Sequence, residues 1–365
     1  MKRLLCIISG MNAGGAETFI MKIYRHIDRT KYQFDFCINV AEKCYYEDEI
    51  NRLGGKIYRI PSKSENHKEF EKQLTELIKK EKYKYVLRVT SNAMGFWDMK
   101  IAKKAGAEKC CVRSSNSSDG TRFKVKVAHC LGRIFFSKYV DVAIAPSDLA
   151  AKHTFGTKAY RNNKVNILNN ALDLDVYSYN ENGRKRIRKE FSIAESEFVI
   201  GHVGRFEEQK NHAFLIKVFT EILKTNSNAK LLLVGTGSKE GIIKEQIIKQ
   251  GIERSVVFAG VRSDMVDLFS AMDVFVLPSF YEGMPNVVIE AQAIGVPCVI
   301  SDTITRSANL TGIVEYVSLS DSPIHWAEII KAASENEKIE TKSIFIEKKY
   351  DIDTTARQFV EIIFS

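Results

Sequence analysis

The stretch SFYEGMPNVVIEAQAIGVP, residues 279–297, decides how the rest of the chain is read. It follows an apolar run at 274–277, so the whole reads as strand, Gly/Pro loop and helix. Pro285 suits the first position of that helix, where no N–H is missed and φ is already near the helical value. The amides that follow, from Asn286 to Val288, then lack intrahelical acceptors and sit at the positive end of the helix, which makes an anion site. Two carboxylates flank it, Glu282 in the loop and Glu290 further into the helix. An acid beside an anion site needs a partner of its own, because it would otherwise repel the ligand. A ligand with phosphates at one point and vicinal hydroxyls at two others satisfies all three groups. A nucleotide sugar has that chemistry.

The same grammar recurs along the chain. An apolar run at 4–9 leads into Gly10, Gly14, Gly15 and Glu17 and then a helical pattern at 18–27, the opening of a doubly wound α/β domain. The GxGxxG spacing is absent and the second strand ends at Asn39-Val40 rather than on an acid, which argues against a dinucleotide-dependent oxidoreductase. Strand patterns follow at 34–40, 56–60, 85–89, 109–112 and 141–146, with helical patterns at 46–53, 70–81 and 95–105 between them. Consecutive βα units force a parallel sheet whose polar loops collect on one edge. That brings Asn92 and the loop of Arg113, Ser114, Ser115 and Asn116 near the Gly14 loop. A strand and Asn-rich turn at 166–173 mark a domain boundary, and the pattern restarts with a strand at 198–203. Further strands are expected at 231–235, 256–259, 274–277 and 298–301, helices at 182–190, 241–250 and 265–271, and an amphipathic helix at 354–364.

At 365 residues the chain is long enough for two domains. No run approaches a membrane span, and the apolar run near the N-terminus is too short for a signal peptide, so a cytoplasmic protein is expected. Seven cysteines without a CxxC pair read as free thiols, and seven histidines without ligand spacing predict no structural zinc. Residues 1–170 carry 32 Lys and Arg against 17 Asp and Glu, a net +15 beside the +9 of the whole chain. So uneven a charge points to an anionic partner for the first half. No nucleic-acid recognition module is present, which leaves an anionic membrane surface. Residues 120–139 mix basic and apolar side chains. Their apolar positions suit a core face, and a helix lying on a membrane stays open beside that.

Taken together the motifs resemble the retaining nucleotide-sugar glycosyltransferases of family 4 (glycosyl transferases group 1), within them the bacterial capsule, exopolysaccharide and O-antigen enzymes. The segments are GGAE at 14–17, NNALD at 169–173, GRFEEQKNH at 204–212, FAGVRSD at 258–264 and LPSFYEGMPNVVIEAQAIGVPCVISDTIT at 277–305. The resemblance implies a GT-B fold of class α/β, with two Rossmann-like doubly wound domains facing across a cleft. These are an acceptor domain at 1–170, a nucleotide-sugar domain at 171–345, and a helical tail at 346–365 packing back on the first domain. It implies Arg205 and Lys210 as the cations on the donor diphosphate, Glu282 on the transferred sugar and Glu290 on the ribose hydroxyls. Gly204, Gly283, Met284, Pro285, Asn286 and Val287 join them on the donor, Val261 receives the base, and Gly14 and Gly15 approach from the first domain. Glu17, Asn92, Ser114, Ser115 and Asn116 are candidates on the sugar and acceptor side. The implied partners are a UDP-sugar donor and a polyprenyl-linked glycan acceptor, with no metal or other cofactor. One departure is that many relatives carry a segment such as HSHN where this chain has Arg113-Ser114-Ser115-Asn116. Either Arg and Ser substitute as hydrogen-bond donors, or specificity or activity is altered. A catalytically degenerate GT-B scaffold is the alternative reading.

Overall fold

The computed structural model describes residues 1–12, 14–115, 123–335 and 339–365. Among them the chain divides into two compact units, Met1–Leu172 together with Lys349–Ser365, and Asp173–Lys348. In the first, strands β1 (Lys2–Ile7), β2 (Tyr32–Ile38), β3 (Ile57–Arg59), β4 (Tyr85–Thr90), β5 (Lys109–Ser114), β6 (Val142–Ala145) and β7 (Val165–Ile167) form a parallel sheet in the order β3-β2-β1-β4-β5-β6-β7. In the second, β8 (Phe198–Val203), β9 (Ala229–Val234), β10 (Val256–Gly260), β11 (Val274–Leu277), β12 (Cys298–Ser301) and β13 (Val314–Val317) run in the order β10-β9-β8-β11-β12-β13. Both units share the order 3-2-1-4-5-6 of the dinucleotide-binding fold, so each is Rossmann-like.

The continuous apolar runs become strands buried on both faces. In β1, Leu4 and Cys6 enter the core layer of helices Gly15–His26 and Ile352–Phe364. Leu5 and Ile7 enter the opposite layer, formed with His67–Glu81 and Phe96–Ala105. Helix starts follow local chemistry: Asn66 accepts from Glu69 N–H, Ser147 from Ala150 N–H, and Ser322 from His325 N–H ahead of Pro323. The terminal helix Ile352–Phe364 belongs to the first unit, where Phe359 lies 6.4 Å from Phe19 and Phe364 lies 4.7 Å from Tyr32, centroid to centroid.

Most strand ends fall within two residues of the expected ones. The span between 302 and 353, which the apolar periodicity leaves unassigned, holds β13 and the helices Pro323–Ser334 and Lys342–Glu347. Among the described residues no helix is long and apolar enough to cross a membrane. Six of the cysteines are buried and Cys130 is exposed; all are free thiols. Burial pushes the Cys6 and Cys37 thiols up to about 12.

Candidate active site

In the strand order of the second unit the direction of winding reverses between β8 and β11, and ligands of such sheets bind beyond the carboxyl ends of the strands at that point. The loops leaving β8 and β11 therefore meet there. Lys210 Nζ donates to Glu282 Oε1 at 2.7 Å, with side chains only 14% and 11% exposed. Two further bonds tie the same loops: Phe280 N–H to Gln209 O at 2.9 Å, and Gln209 Nε2 to Tyr281 O at 2.8 Å. The cation and the acid named from separate motifs thus form one ion pair. Arg205, beside it, is exposed and has no hydrogen bond or ion pair from its side chain among the described residues.

Gly204 makes room for the Lys210 stem: a Cβ there would stand 3.0 Å from Lys210 Cε. Beneath Arg205 the loop after β9 closes tightly. Gly237 lies so near the buried Phe206 that a Cβ would come within 2.5 Å of its carbonyl oxygen, and Gly235 adopts φ +134 against Gly204 O. Phe206 N–H donates to Thr236 O at 3.0 Å, and Glu207 accepts from Ser238 N–H at 2.9 Å. This Gly235-Thr236-Gly237 loop escaped the sequence reading. Its signal was the same strand–glycine–helix grammar that marks the Gly14 loop.

One detail of the 279–297 stretch is corrected. Pro285 stands at the N-cap, with φ −78 and ψ 97, and the helix Asn286–Ala293 begins one residue later. Val288 and Ile289 N–H both reach Pro285 O, at 3.0 and 3.3 Å, so the Val288 amide is not available to an anion as expected. The Val287 amide keeps no acceptor among the described residues. Gly283 and Met284 are half-buried in the loop, and Glu290 is half-buried one helical turn after Asn286. The ladder between β9 and β10 shifts register at Phe258/Gly260, where Gly260 takes φ +69. The next residue, Val261, stands out at 76% exposed.

Under the ion pair lies a buried polar group that the sequence reading also missed. His202 donates from Nδ1 to Val276 O at 2.9 Å, and its ring meets that of His212 edge to face at 4.5 Å. Both are almost fully buried, and His202 Nε2, both His212 nitrogens and Ser279 Oγ have no hydrogen-bond partner among the described residues. Burial, then the neighbouring Lys210 charge, lower the His212 pKa to about 4. Burial also drives that of His202 well below its ordinary value. Both rings are neutral at physiological pH.

The candidates of the first unit are less uniform. Gly14 is the exposed N-cap of helix Gly15–His26, and the Glu17 carboxylate folds back over it. Asn92 Oδ1 accepts from Met94 N–H at 3.0 Å and so caps its own turn. Ser114 is wholly buried, its hydroxyl 2.6 Å from that of Thr154, so it joins strand to helix rather than facing a ligand. Ser115 is exposed, and Asn116 lies outside the described residues. Arg113 is 1% exposed, stacked 3.6 Å over the Phe19 ring and bonded to Asn170 Oδ1 at 2.7 Å. Among the described residues no group of three or more His, Cys, Asp or Glu side chains could hold a metal ion.

The model of the family described as glycosyl transferases group 1 matches residues 183–351. A Bacillus subtilis protein named as the glycosyltransferase EpsF is 35% identical over 338 residues, covering 91% of this chain and 88% of that protein. The chain belongs to the group 1 glycosyltransferases. This glycosyltransferase is also 27% identical over 239 residues to the Escherichia coli UDP-Gal:alpha-D-GlcNAc-diphosphoundecaprenol alpha-1,3-galactosyltransferase, covering 63% of this chain and 60% of that one. The crystal structure of Anabaena HepE (Alr3699) in complex with UDP and glucose matches it with a TM-score of 0.78 over 100% of both chains, at 17% identity. The glycosyltransferase accordingly has the GT-B fold, with two Rossmann-like domains.

Proposed function

We propose that this glycosyltransferase moves a hexose or N-acetylhexosamine from a UDP-sugar to a polyprenyl-linked glycan in capsule, exopolysaccharide or O-antigen assembly. Transfer retains the anomeric configuration and uses no metal ion, and the basic first unit works against an anionic membrane surface. The observation that carries the reading is the ion pair of Lys210 and Glu282, with Arg205 open beside it at the winding reversal of the second sheet.

As the sugar C1–O bond to the β-phosphate breaks, negative charge develops on the departing oxygen. Arg205 offers it a planar fork of donors and Lys210, released from Glu282, a point charge. With those cations the step needs no metal. The acceptor hydroxyl attacks C1 from the side the UDP leaves, and its proton passes to the departing phosphate oxygen, so the chain need not supply a base. Glu290 accepts from the ribose hydroxyls. Glu282, once the diphosphate takes over Lys210, is free to accept from a hydroxyl of the sugar. UDP in the HepE complex and in the name of the Escherichia coli relative supports the uridine donor, and the diphosphoundecaprenol of the latter supports a lipid-linked acceptor.

The test is a melting-temperature screen against UDP-, GDP- and ADP-sugars, because a ligand of the native state raises the midpoint. UDP-sugars should raise it, and a mixture of polyprenyl-linked acceptors should then reveal transfer. A shift with GDP- or ADP-sugars alone overturns the uridine assignment. UDP-sugar binding without hydrolysis or transfer returns the reading to a scaffold.

A further inference from the structure

The sheet of the first unit has a winding reversal of its own, between β1 and β4, and ligands of such sheets bind beyond the carboxyl ends of the strands at that point. Arg88, the fourth of six residues in β4, stands opposite Ile7 of β1 there. Its Nε lies 3.1 Å from Oδ2 of Asp98, which sits in the first turn of helix Phe96–Ala105 and has no exposed surface. Lys63, in the turn between β3 and helix His67–Glu81, donates to Asp98 Oδ1 at 2.6 Å. The side chains of Arg88 and Lys63 are 11% and 27% exposed, so the cluster is mostly shielded and opens to water on the lysine side.

Two cations therefore share one buried carboxylate, and neither has another ion-pair partner among the described residues. The nearest acid in sequence to Lys63, Glu65, is exposed and accepts from Ser62 N–H at 2.7 Å. Arg88 Nε and Nη1 are buried and make no hydrogen bond, and Asp98 Oδ2 receives none, so their contact is an attraction without a directed bond. A guanidinium taken from water with its donors unmade is costly, and a surplus positive charge beside it adds to that cost. Burial lowers the Lys63 pKa, with Asp98 opposing and the Arg88 charge reinforcing the shift. An oxyanion supplies what the cluster lacks: two acceptor atoms for the guanidinium fork and one negative charge.

We propose that Arg88 and Lys63 form an oxyanion subsite of the first unit, which takes an acidic group of the acceptor: the carboxylate of a uronic acid in its glycan or a phosphate of its lipid diphosphate. The subsite deepens the acceptor reading of the function above and rests on it. Asp98 holds the two cations side by side against their mutual repulsion. The arriving oxyanion meets Arg88 as a planar fork and Lys63 as a point charge. A neutral acceptor gains neither interaction, so the subsite selects acidic ones.

The probes are methyl glucuronoside for the carboxylate, geranyl diphosphate for the lipid diphosphate and methyl glucoside as the neutral sugar. Each is titrated into the full chain with UDP in excess and followed by saturation-transfer NMR. At least one anionic probe should bind roughly tenfold or more tighter than methyl glucoside, and the one that does so names the source of the oxyanion. Arg88→Met leaves Lys63 to balance Asp98, so the cluster keeps its charge pairing while the fork is gone. Affinity for that probe should fall roughly tenfold or more, and Arg88→Lys should restore part of it. Lys84→Met, which removes a cation paired with Glu108 at 2.7 Å just before the other end of β4, should leave the affinity as it is. An equal loss in Lys84→Met reduces the subsite to diffuse charge and overturns it. Two other results also overturn it: neither anionic probe binding better than methyl glucoside, or Arg88→Met lowering the melting temperature with affinity unchanged, which assigns the cluster to joining helix and strand alone. The acceptor reading fails separately, when polyprenyl-linked acceptors receive no sugar although a probe binds through Arg88.

Discussion

The ion pair of Lys210 with Glu282 sets two demands on one lysine. Without donor, the carboxylate satisfies the cation at 2.7 Å; with donor, the diphosphate competes for it. Both side chains are mostly shielded from water, so their attraction is screened less than that of a surface pair. Lys210→Met should lower turnover by about 10²- to 10³-fold, the usual loss when a preorganised group that meets developing negative charge is removed. Glu282→Gln separates the two roles of the acid. The substitution removes a charge that repels phosphate, so UDP alone should bind at least as tightly as to the wild type, while transfer falls because the sugar hydroxyl trades a charged acceptor for a weaker neutral one. Calorimetric titration with UDP and steady-state kinetics read the two effects. Weaker UDP binding together with unchanged transfer would mean that the carboxylate serves the diphosphate and not the sugar. Arg205→Ala and Glu290→Ala should each abolish transfer while the chain stays folded, as circular dichroism would read.

At the scale of elements, the turn from Gly204 into the helix His212–Thr225 sets charge above and neutral imidazole below. His212 is held near pKa 4 by burial and by Lys210, whereas the unfolded chain titrates near 6.5. Between those values the unfolded state binds the proton and the folded state does not, so stability is complete above about pH 6.5 and is lost as pH falls towards 4. The size is about 3 kcal/mol for His212, and His202 adds in the same direction. Denaturant midpoints measured across pH 4 to 7 should fall on the acid side, and His212→Phe should flatten that limb. An equal slope in both proteins would remove His212 from the account. The element scale also divides what the sequence reveals from what it hides. Both parallel sheets were legible because buried strands such as β1 and β11 are unbroken apolar runs, and the glycine loops punctuate them. Lys210, Glu282 and Glu290 were legible as motif members. The His202–His212 contact was not, because it joins a strand to the helix after an intervening turn and neither residue departs from local pattern. The N-cap position of Pro285 was hidden for a related reason: proline fits both the cap and the first helical residue, and only its extended ψ of 97 distinguishes the two. β13 was missed because VEYV is short and half exposed, whereas the helix Pro323–Ser334 carried a legible start, Ser322 followed by Pro323, that went unread.

On the scale of the whole molecule, the chain leaves its first unit at Leu172 and returns to it at Lys349, so the last helix completes a core laid down by the first residues. Its burial is extensive: Phe359 and Ile363 have no exposed surface, and they pack with Phe19, Ile23 and Phe34. The chain end is tied as well, by Lys2 Nζ to Phe364 O at 2.7 Å and by Lys109 Nζ to Ser365 O at 2.8 Å. Phe359→Ala removes a wholly buried ring and leaves a cavity in that layer, a change that costs about 3–5 kcal/mol in well-packed cores. Because the ring belongs to the core of the first unit and not to that of the second, the loss should be local. Hydrogen exchange can read this unit by unit, since amides open in cooperative groups with their own free energies. In Phe359→Ala the amides of β1, β2 and β4 should exchange faster by several hundredfold, while those of β8, β9 and β11 keep their wild-type rates. UDP should protect the second set in both proteins, because its proposed contacts, Arg205, Lys210 and Glu290, all lie on the second unit. Faster exchange spread evenly over both sheets would show instead that the units open as one cooperative body, and the terminal helix would then have to stabilise the whole chain rather than the unit it covers.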